Sequence, residues 1–593
     1  MAANMESNQE INDVQSLAEK KGASLFTIIQ KIISRHPIMF IILLWLLFVV
    51  LPIGNRGLWA PDEPRYLQVA WEMTHTGSYL VPIMNGEIYA EKPPLFFWLT
   101  MVAAKIFAFE TASRWVSAFA SLGILLLTFR LGVMSKDEKT GLTAVLVLMS
   151  TSLFTLLMTT GNIDITLTFF TTASLFFFLK WDGRQEKKFL VLAYGACGLG
   201  ILAKGPVALL VPWLSFVLWE SGKYFRHEKA SFAHLAWGPA VALAIAALWV
   251  IPACIAGGRE YTRTILFRQQ FGRVIRSAPH SRPVFYYFLN FPLDALPWFI
   301  VLAGVAPVIK NAVRDRQREL LFFGLWICTI LVFFSLPSGK RERYLLPLYP
   351  AFSIIIAHIV ARWSRRRDTT LWLRICAILV LVILGVLMLF PAVVPILKDR
   401  FSVLSIFPFD LADWHLWGIY IPGVLAVGLI RQAFKHLHVR QHRVACNLVA
   451  VSLLLGFAIV QLYYIPHVDR VKSARYASQT IRSILPAGGS VAFYGRRFDN
   501  GWNFYLQRAK IPVITDEQIS HHPPHYDLII LRKKDLPKLK KVMPLTRYEI
   551  AAVQPVGSKK FVLLKLKSAG QAARCTPDKR PSIFDGSITV NAT

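Results

Sequence analysis

From Pro37 to Ile465 the chain alternates long apolar runs with short polar ones. The apolar runs are about 16 to 23 residues long, close to the roughly 20 that a helix needs to cross a hydrocarbon core. A soluble domain could not bury so many of them, so the pattern predicts an α-helical polytopic membrane protein. Thirteen spans are expected, near 37–56, 113–134, 141–159, 165–181, 189–203, 206–221, 235–256, 296–309, 319–336, 345–361, 371–393, 415–430 and 445–465. One further run, Pro93 to Glu110, is short and carries Lys105, and predicts a re-entrant or surface-lying helix.

The polar segments assign the sides. The loops Lys136 to Lys139, Lys180 to Lys188, Lys223 to Lys229, Lys310 to Arg318, Arg362 to Asp368 and Arg431 to Arg443 are short and basic. The positive-inside rule puts them in the cytoplasm, together with the polar N-terminal segment 1–36. A crossing at Pro93 to Glu110 would reverse every later loop. The opposite side then holds a long first loop, 57–110, the turns 160–164 and 204–205, the loops 257–294, 337–344 and 398–414, and everything after Pro466. The first 24 residues do not read as a cleaved signal peptide, and the run from Pro37 is expected to act as an uncleaved anchor.

The periodicity changes after residue 467. Ser473 to Leu485 has the spacing of an amphipathic helix, and Ser490 to Tyr494, Tyr526 to Leu531 and Phe561 to Leu564 read as short strands. A small C-terminal α/β domain over 467–567 is expected on the outer side, followed by a polar tail, 568–593, that lacks periodicity and reads as disordered. The transmembrane domain is 37–466.

Composition narrows the function. The chain of 593 residues is 54% hydrophobic and 17% charged, with a formal net charge of +31. Such a charge could suit nucleic acid. Here much of the excess lies in short loops between apolar runs, which is the membrane pattern. Cys197, Cys254, Cys328, Cys376, Cys446 and Cys575 show neither metal-pair spacing nor a disulfide framework.

The candidate chemistry collects on the outer side. The first loop holds Asp62-Glu63-Pro64-Arg65-Tyr66 just beyond a span, then Gly86-Glu87-Ile88-Tyr89-Ala90-Glu91-Lys92-Pro93-Pro94. Charges beside the apolar phase are costly unless they pair or act. Later outer segments add Gly161-Asn162-Ile163-Asp164, Lys204-Gly205-Pro206, and Lys340-Arg341-Glu342-Arg343-Tyr344-Leu345-Leu346-Pro347.

Taken together these motifs resemble the lipid-linked-sugar glycosyltransferases of the GT-C class. Within that class the match is to the bacterial family that transfers 4-amino-4-deoxy-L-arabinose to lipid A, which is related to the protein O-mannosyltransferases. That family carries an Asp-Glu-x-Arg-Tyr loop and a Gly-x-x-Tyr-x-Glu-Lys-Pro-Pro segment. The resemblance implies a GT-C-like fold in the inner membrane, an active site on the periplasmic side, and an inverting transfer from an undecaprenyl or other polyprenyl phosphate. It implies catalytic roles for Asp62 and Asp164, and donor or phosphate contacts from Arg65, Tyr66, Tyr89, Lys92, Lys204, Arg273, Lys340 and Tyr344, with Glu63 and Glu91 in support. The acceptor is lipid A or another glycan, and no nucleic acid is involved.

One departure bears on cofactors. The family usually has Arg-Glu-His in the fourth outer loop, where this chain reads Arg268-Gln269-Gln270. Glutamine is a poor zinc ligand, so no cofactor and no metal site are expected. Two other readings stay open: a protein O-mannosyltransferase-like enzyme, and a lipid or polyol transporter or flippase. Transporters usually carry charges or helix breaks near the middle of spans, whereas here the charges sit at span ends and in outer loops.

Overall fold

The computed structural model describes residues 35–268, 282–362, 367–397, 400–401, 417–485, 488–496, 498, 501–521, 525–543 and 545–567. Arg273, Gln269, Gln270, most of the segment 1–36 and the tail 568–593 lie outside these residues. The chain divides into two compact units, residues 1–476 with 499–510, and residues 477–498 with 511–593. Within the 467–567 stretch expected as a C-terminal domain, 467–476 and 499–510 group with the large helical unit.

In the large unit, seven helices among the described residues are long and apolar enough to cross a membrane: Phe109–Ser135, Ile163–Arg184, Ala233–Leu266, Arg318–Ser335, Glu342–Arg362, Thr370–Leu397 and His442–Lys472. Two bent pairs raise the number to nine if each is one span. The first pair, Glu138–Met149 with Ser152–Met158, turns by 77°. At the bend the Ser150 and Thr151 hydroxyls donate to the carbonyls of Leu146 and Val147, at 2.6 and 2.8 Å, a pattern that competes with the helical ladder and bends it. The second pair, Tyr286–Asp294 with Trp298–Gly304, turns by 110°. Pro297 sits between them, without the N–H that would continue the ladder.

Two spans are enclosed by protein. In Glu342–Arg362, 89% of the apolar window is buried, and in Ile163–Arg184 78%, against 22% in Ala233–Leu266. This explains the threonines and serines of Ile163–Arg184, where Thr166, Thr168, Thr171, Thr172 and Ser174 all face protein. The two enclosed spans carry candidate site residues at their N-terminal ends, so those residues stand on the best-packed elements of the unit.

The long first loop is folded. It contains a helix, Asp62–Thr76, a two-stranded hairpin, β1 (Ile83–Met84) and β2 (Glu87–Ile88), and a second helix, Leu95–Ala103. Nine residues rise about 14 Å, too little to cross a core of roughly 30 Å. Apolar positions on these elements close a small core of Tyr66, Val69, Ala70, Met73, Met84, Tyr89, Phe96 and Phe97 with Ala112, Val116 and Ile163. Glu72 fixes the hairpin by accepting from the backbone N–H groups of Asn85 and Gly86 at 2.7 and 2.9 Å.

The small unit is built on a five-stranded sheet of β3 (Val491–Tyr494), β4 (Val513–Ile514), β5 (Leu528–Arg532), β6 (Tyr548–Val556) and β7 (Lys559–Leu566), in the order β4-β3-β5-β7-β6. β3 is parallel to both β4 and β5, and β7 is antiparallel to β5 and β6. The three expected strands are present as β3, β5 and β7. β4 has only two residues, and β6 has a bulge near Ile550 and Ala552 and carries Pro555. Proline is tolerated there because β6 is an edge strand.

Candidate active site

The site begins with a buried carboxylate. Glu63, in the first turn of Asp62–Thr76, is 4% exposed. It accepts from Arg56 Nη1 and from Arg114 Nε, both at 2.7 Å, and from the backbone N–H groups of Trp59 and Gly161 at 3.1 and 3.0 Å. Arg114 is fully buried and also donates to the carbonyls of Ile53, Arg56 and Gly57. Burial alone would raise the Glu63 pKa, but the Arg114 and Arg56 guanidiniums outweigh it and hold the carboxyl well below the usual range. Glu63 thus ties the first loop, the span Phe109–Ser135 and the turn before Asp164 into one rigid piece.

That turn needs its glycine. A Cβ on Gly161 would lie 2.2 Å from Ser113 Oγ. Asn162 then caps the span Ile163–Arg184, its Oδ1 accepting from the Asp164 N–H at 2.7 Å. This pins Asp164 in the first helical turn, where the macrodipole favours a carboxylate. Lys204 ends the helix Lys187–Lys204, and Gly205 follows with φ +104°, a backbone region that only glycine enters freely.

The structure brings most of the expected residues together. Asp62 faces Arg65 at 3.8 Å and Arg341 at 3.6 Å, and pairs with Arg343 Nη2. Asp164 pairs with Lys204 and meets Arg343 Nε at 3.7 Å. Arg343 therefore touches both aspartates. The Lys204 ammonium stands over the Tyr344 ring, 4.5 Å from its centroid. Arg65 reaches Glu91 at 3.6 Å, and Lys92 acts electrostatically on Asp164. Tyr66 and Tyr89 pack edge-on against Phe96 and Phe97. Burial, then the Asp62 charge, pushes the Tyr66 phenol well above its ordinary value, so it stays a neutral hydroxyl.

One expectation reads differently in the structure, and the supporting place of Glu63 takes a definite form. Lys340 turns away from the aspartates and donates to the carbonyls of Pro337 and Arg282, at 2.5 and 3.3 Å. Glu63 is held by four donors inside the protein, which suits positioning. Arg273 lies outside the described residues. Sequence reasoning missed Arg341 and Arg343, although it singled out their motif. In a run of alternating charges nothing local says which cations turn inward. It also missed Arg56, Arg114 and Asp469. The last accepts from Gly57 N–H at 2.9 Å and from Trp59 Nε1 at 2.7 Å, bracing the same loop.

Five cations, Arg65, Lys92, Lys204, Arg341 and Arg343, gather with three carboxylates, Asp62, Glu91 and Asp164. The cluster carries a positive surplus, and Arg65 Nε is buried with no hydrogen-bond partner among the described residues. Both features suit a bound anion. Among the described residues the site's carboxylates face cations. Glu91 faces a guanidinium, and among the described residues no three His, Cys, Asp or Glu side chains gather.

Known proteins are similar to this chain in sequence and in fold. A family model described as dolichyl-phosphate-mannose-protein mannosyltransferase matches residues 91–251. An undecaprenyl phosphate-alpha-4-amino-4-deoxy-L-arabinose arabinosyl transferase of Proteus mirabilis is 30% identical over 338 residues, covering 55% of this chain and 60% of that protein. A transferase of the same description from Pseudomonas paraeruginosa is 28% identical over 476 residues, covering 76% of this chain and 82% of that one. The crystal structure of ArnT from Cupriavidus metallidurans bound to undecaprenyl phosphate superposes with a TM-score of 0.70 at 20% identity, covering 89% of this chain and 97% of that one. In sequence and in fold the chain is thus similar to the bacterial GT-C glycosyltransferases named for 4-amino-4-deoxy-L-arabinose.

Proposed function

We propose that the protein is an inverting glycosyltransferase. It moves 4-amino-4-deoxy-L-arabinose, or a similar sugar, from a polyprenyl-phosphate donor to lipid A or another extracytoplasmic acceptor. The observation that carries this reading is the positively charged cluster built around Asp62 and Asp164, with Arg343 touching both. The names of the similar proteins add the donor class and the sugar.

In the reaction the acceptor oxygen bonds to the anomeric carbon from the face opposite the leaving group. The bond from that carbon to the phosphate oxygen breaks, and its electron pair stays on the polyprenyl phosphate. Lys92, Lys204, Arg65 and Arg343 are preorganised cations aimed at that growing charge, and fixed donors in a partly dry site stabilise it without reorganisation. The aspartates are already engaged as ion-pair acceptors, so they arrange the cations around the donor phosphate. This suits a phosphate acceptor, which is anionic and has no proton to lose, better than a hydroxyl. No step is routed through a metal.

The reading is tested by mass spectrometry of lipid A from cells with and without the chain. Lipid A phosphates carrying an added aminopentose are expected only with the chain. Unchanged lipid A beside a changed surface glycan or protein would move the acceptor. No change in any glycoconjugate would reject the function.

The membrane arrangement belongs to the same proposal. Besides the seven long helices and two bent pairs, four helices occupy expected span positions: Pro37–Val50, Lys187–Lys204, Val207–Phe225 and Trp417–His438. Counting these gives thirteen crossings, with the aspartates on the periplasmic side. In a background without native cysteines, a cysteine at Ser78 is expected to react with an impermeant thiol reagent in intact cells stripped of the outer membrane. A cysteine at Gly183 is expected to stay unlabelled. The reverse pattern would invert the orientation.

A further inference from the structure

The small unit has a charge distribution that sugar transfer does not use. Its described residues include thirteen Lys and Arg against five Asp and Glu, so most of its cations have no acidic partner. Two of the five acids, Asp527 and Glu549, lie at the amino ends of β5 and β6, whereas Asp516 and Glu517 follow β4 at the carboxyl end of β3. Asp516 accepts from Tyr494 and pairs with Lys538 at 2.5 Å, Asp527 accepts from Ser490, and Glu549 stands opposite Lys565 in the β6–β7 register. Glu517 lies on the short helix Asp516–His521.

At the carboxyl end of β3 and β5 the cations outnumber the acids, and Asp516 there is already paired with Lys538. β3 stands between its parallel neighbours β4 and β5, an order that in open α/β sheets forms a binding crevice outside the strands' carboxyl ends. β3 ends at Tyr494, and Gly495 at φ +79° turns the chain into Arg496. β5 ends at Arg532, which is paired across to Phe561 on β7, so the start of β7 at Lys559 arrives at the same end. Arg496, Lys534 and Lys559 are exposed.

These side chains are not scattered. The Arg496 guanidinium lies over the Phe498 ring at 5.6 Å, and Phe498 is buried edge-on against Phe493 and Phe561. Arg532 is clamped by Asp535 through two contacts, at 2.5 and 3.0 Å. Partial desolvation, followed by the charges of Arg496, Arg532 and Lys534, lowers the Lys559 pKa, so all three act on Lys559. Among the described residues no carboxylate pairs with Arg496, Lys534 or Lys559, so Asp535 neutralises one charge of four. Like charges repel, and an arrangement held by an aromatic shelf and a carboxylate clamp keeps them together at a cost that a bound anion would offset.

We propose that this crevice is an anion site for a phosphomonoester, with Arg496 and Arg532 offering planar forks and Lys534 and Lys559 compact charges. The phosphate can be carried by a lipid headgroup or by a soluble molecule. The residues of the site belong to the small unit and those of the aspartate cluster to the large one, and the proposal does not depend on sugar transfer.

The test is hydrogen exchange on the full chain in nanodiscs of phosphatidylcholine, read on peptides covering 491–496, 528–535 and 556–562. Inorganic phosphate is titrated in one arm, and phosphatidic acid is included in the bilayer in the other. Protection of all three segments is expected in at least one arm. Protection by both identifies a soluble phosphate, and protection by phosphatidic acid alone identifies a lipid headgroup. In the Arg496→Gln/Lys559→Gln variant the half-saturating concentration should rise about tenfold or more. Lys565→Gln, which removes a charge at the other end of β7, should leave it unchanged, and Lys204→Met should leave these segments protected. No protection in either arm, equal protection in the double variant, or an equal loss in Lys565→Gln would overturn the proposal.

Discussion

Replacing Arg343 with methionine is expected to slow sugar transfer by about a hundredfold or more, the usual loss when one preorganised donor to a developing oxyanion is removed. Arg343 contacts both Asp62 and Asp164, whose side chains are 8% and 6% exposed. Without it, two poorly solvated carboxylates share a site with one fewer cation, and the surplus that would attract the donor phosphate falls. Arg343→Lys is expected to rescue little. A lysine ammonium is a compact charge and does not span two carboxylates as a planar guanidinium does. The check is the initial rate with purified protein and a polyprenyl-phosphate sugar, beside a thermal melt showing that the variant is folded. A folded Arg343→Met protein with the wild-type rate would remove Arg343 from the site.

The second large effect is on stability. Glu63→Gln leaves Arg56 and Arg114 buried without their counter-charge, and breaking a buried ion pair from one side costs roughly 3–5 kcal/mol. A fall in melting temperature in detergent, together with loss of activity, is expected even though Glu63 is withdrawn from the aspartate cluster. Arg114→Met should be similarly damaging, because its guanidinium also satisfies three loop carbonyls. The pH dependence has a definite sign. The Glu63 pKa is depressed in the folded protein, so its contribution is fully present above the ordinary carboxylate value of about 4 and is lost as pH falls below it. The gap in stability between wild type and Glu63→Gln should therefore be wide at pH 7 and close on acidification below about 4. A gap independent of pH would show that Glu63 is not held ionised by its arginines.

The helical architecture was legible because membrane spans declare themselves by length and apolarity, and the turn and loop motifs near them were short and distinctive. Less was legible where tertiary contacts decide. Ser150 and Thr151 gave no sign of a 77° bend, since hydroxyls in spans are common and only their backbone bonds turn the helix. The first loop read as a loop because its helix Asp62–Thr76 and the turn before it are held by contacts from Arg114, Asp469 and Tyr505, residues distant in sequence, and because its hairpin strands are only two residues each. The same dependence hid Arg343 behind its neighbours. Lys340 and Arg343 look alike in sequence, yet one serves backbone carbonyls and the other two aspartates. In the small unit, β4 and β6 escaped notice because two residues make no periodicity and a bulge breaks one.

The central claim is that the sugar–phosphate bond of the donor breaks at the Asp62–Arg343–Asp164–Lys204 cluster, with Lys92 and Tyr344 beside it. The most direct measurement is single-turnover transfer from a purified polyprenyl-phosphate sugar by wild type, Asp62→Asn, Lys92→Met, Tyr344→Phe and a control, Glu228→Gln, whose carboxylate pairs with Arg226 and Arg318 instead. The control is expected to match wild type, and the three site variants to be about a hundredfold slower or worse. Wild-type rates in Asp62→Asn, Lys92→Met and Tyr344→Phe, with the proteins folded, would contradict the account.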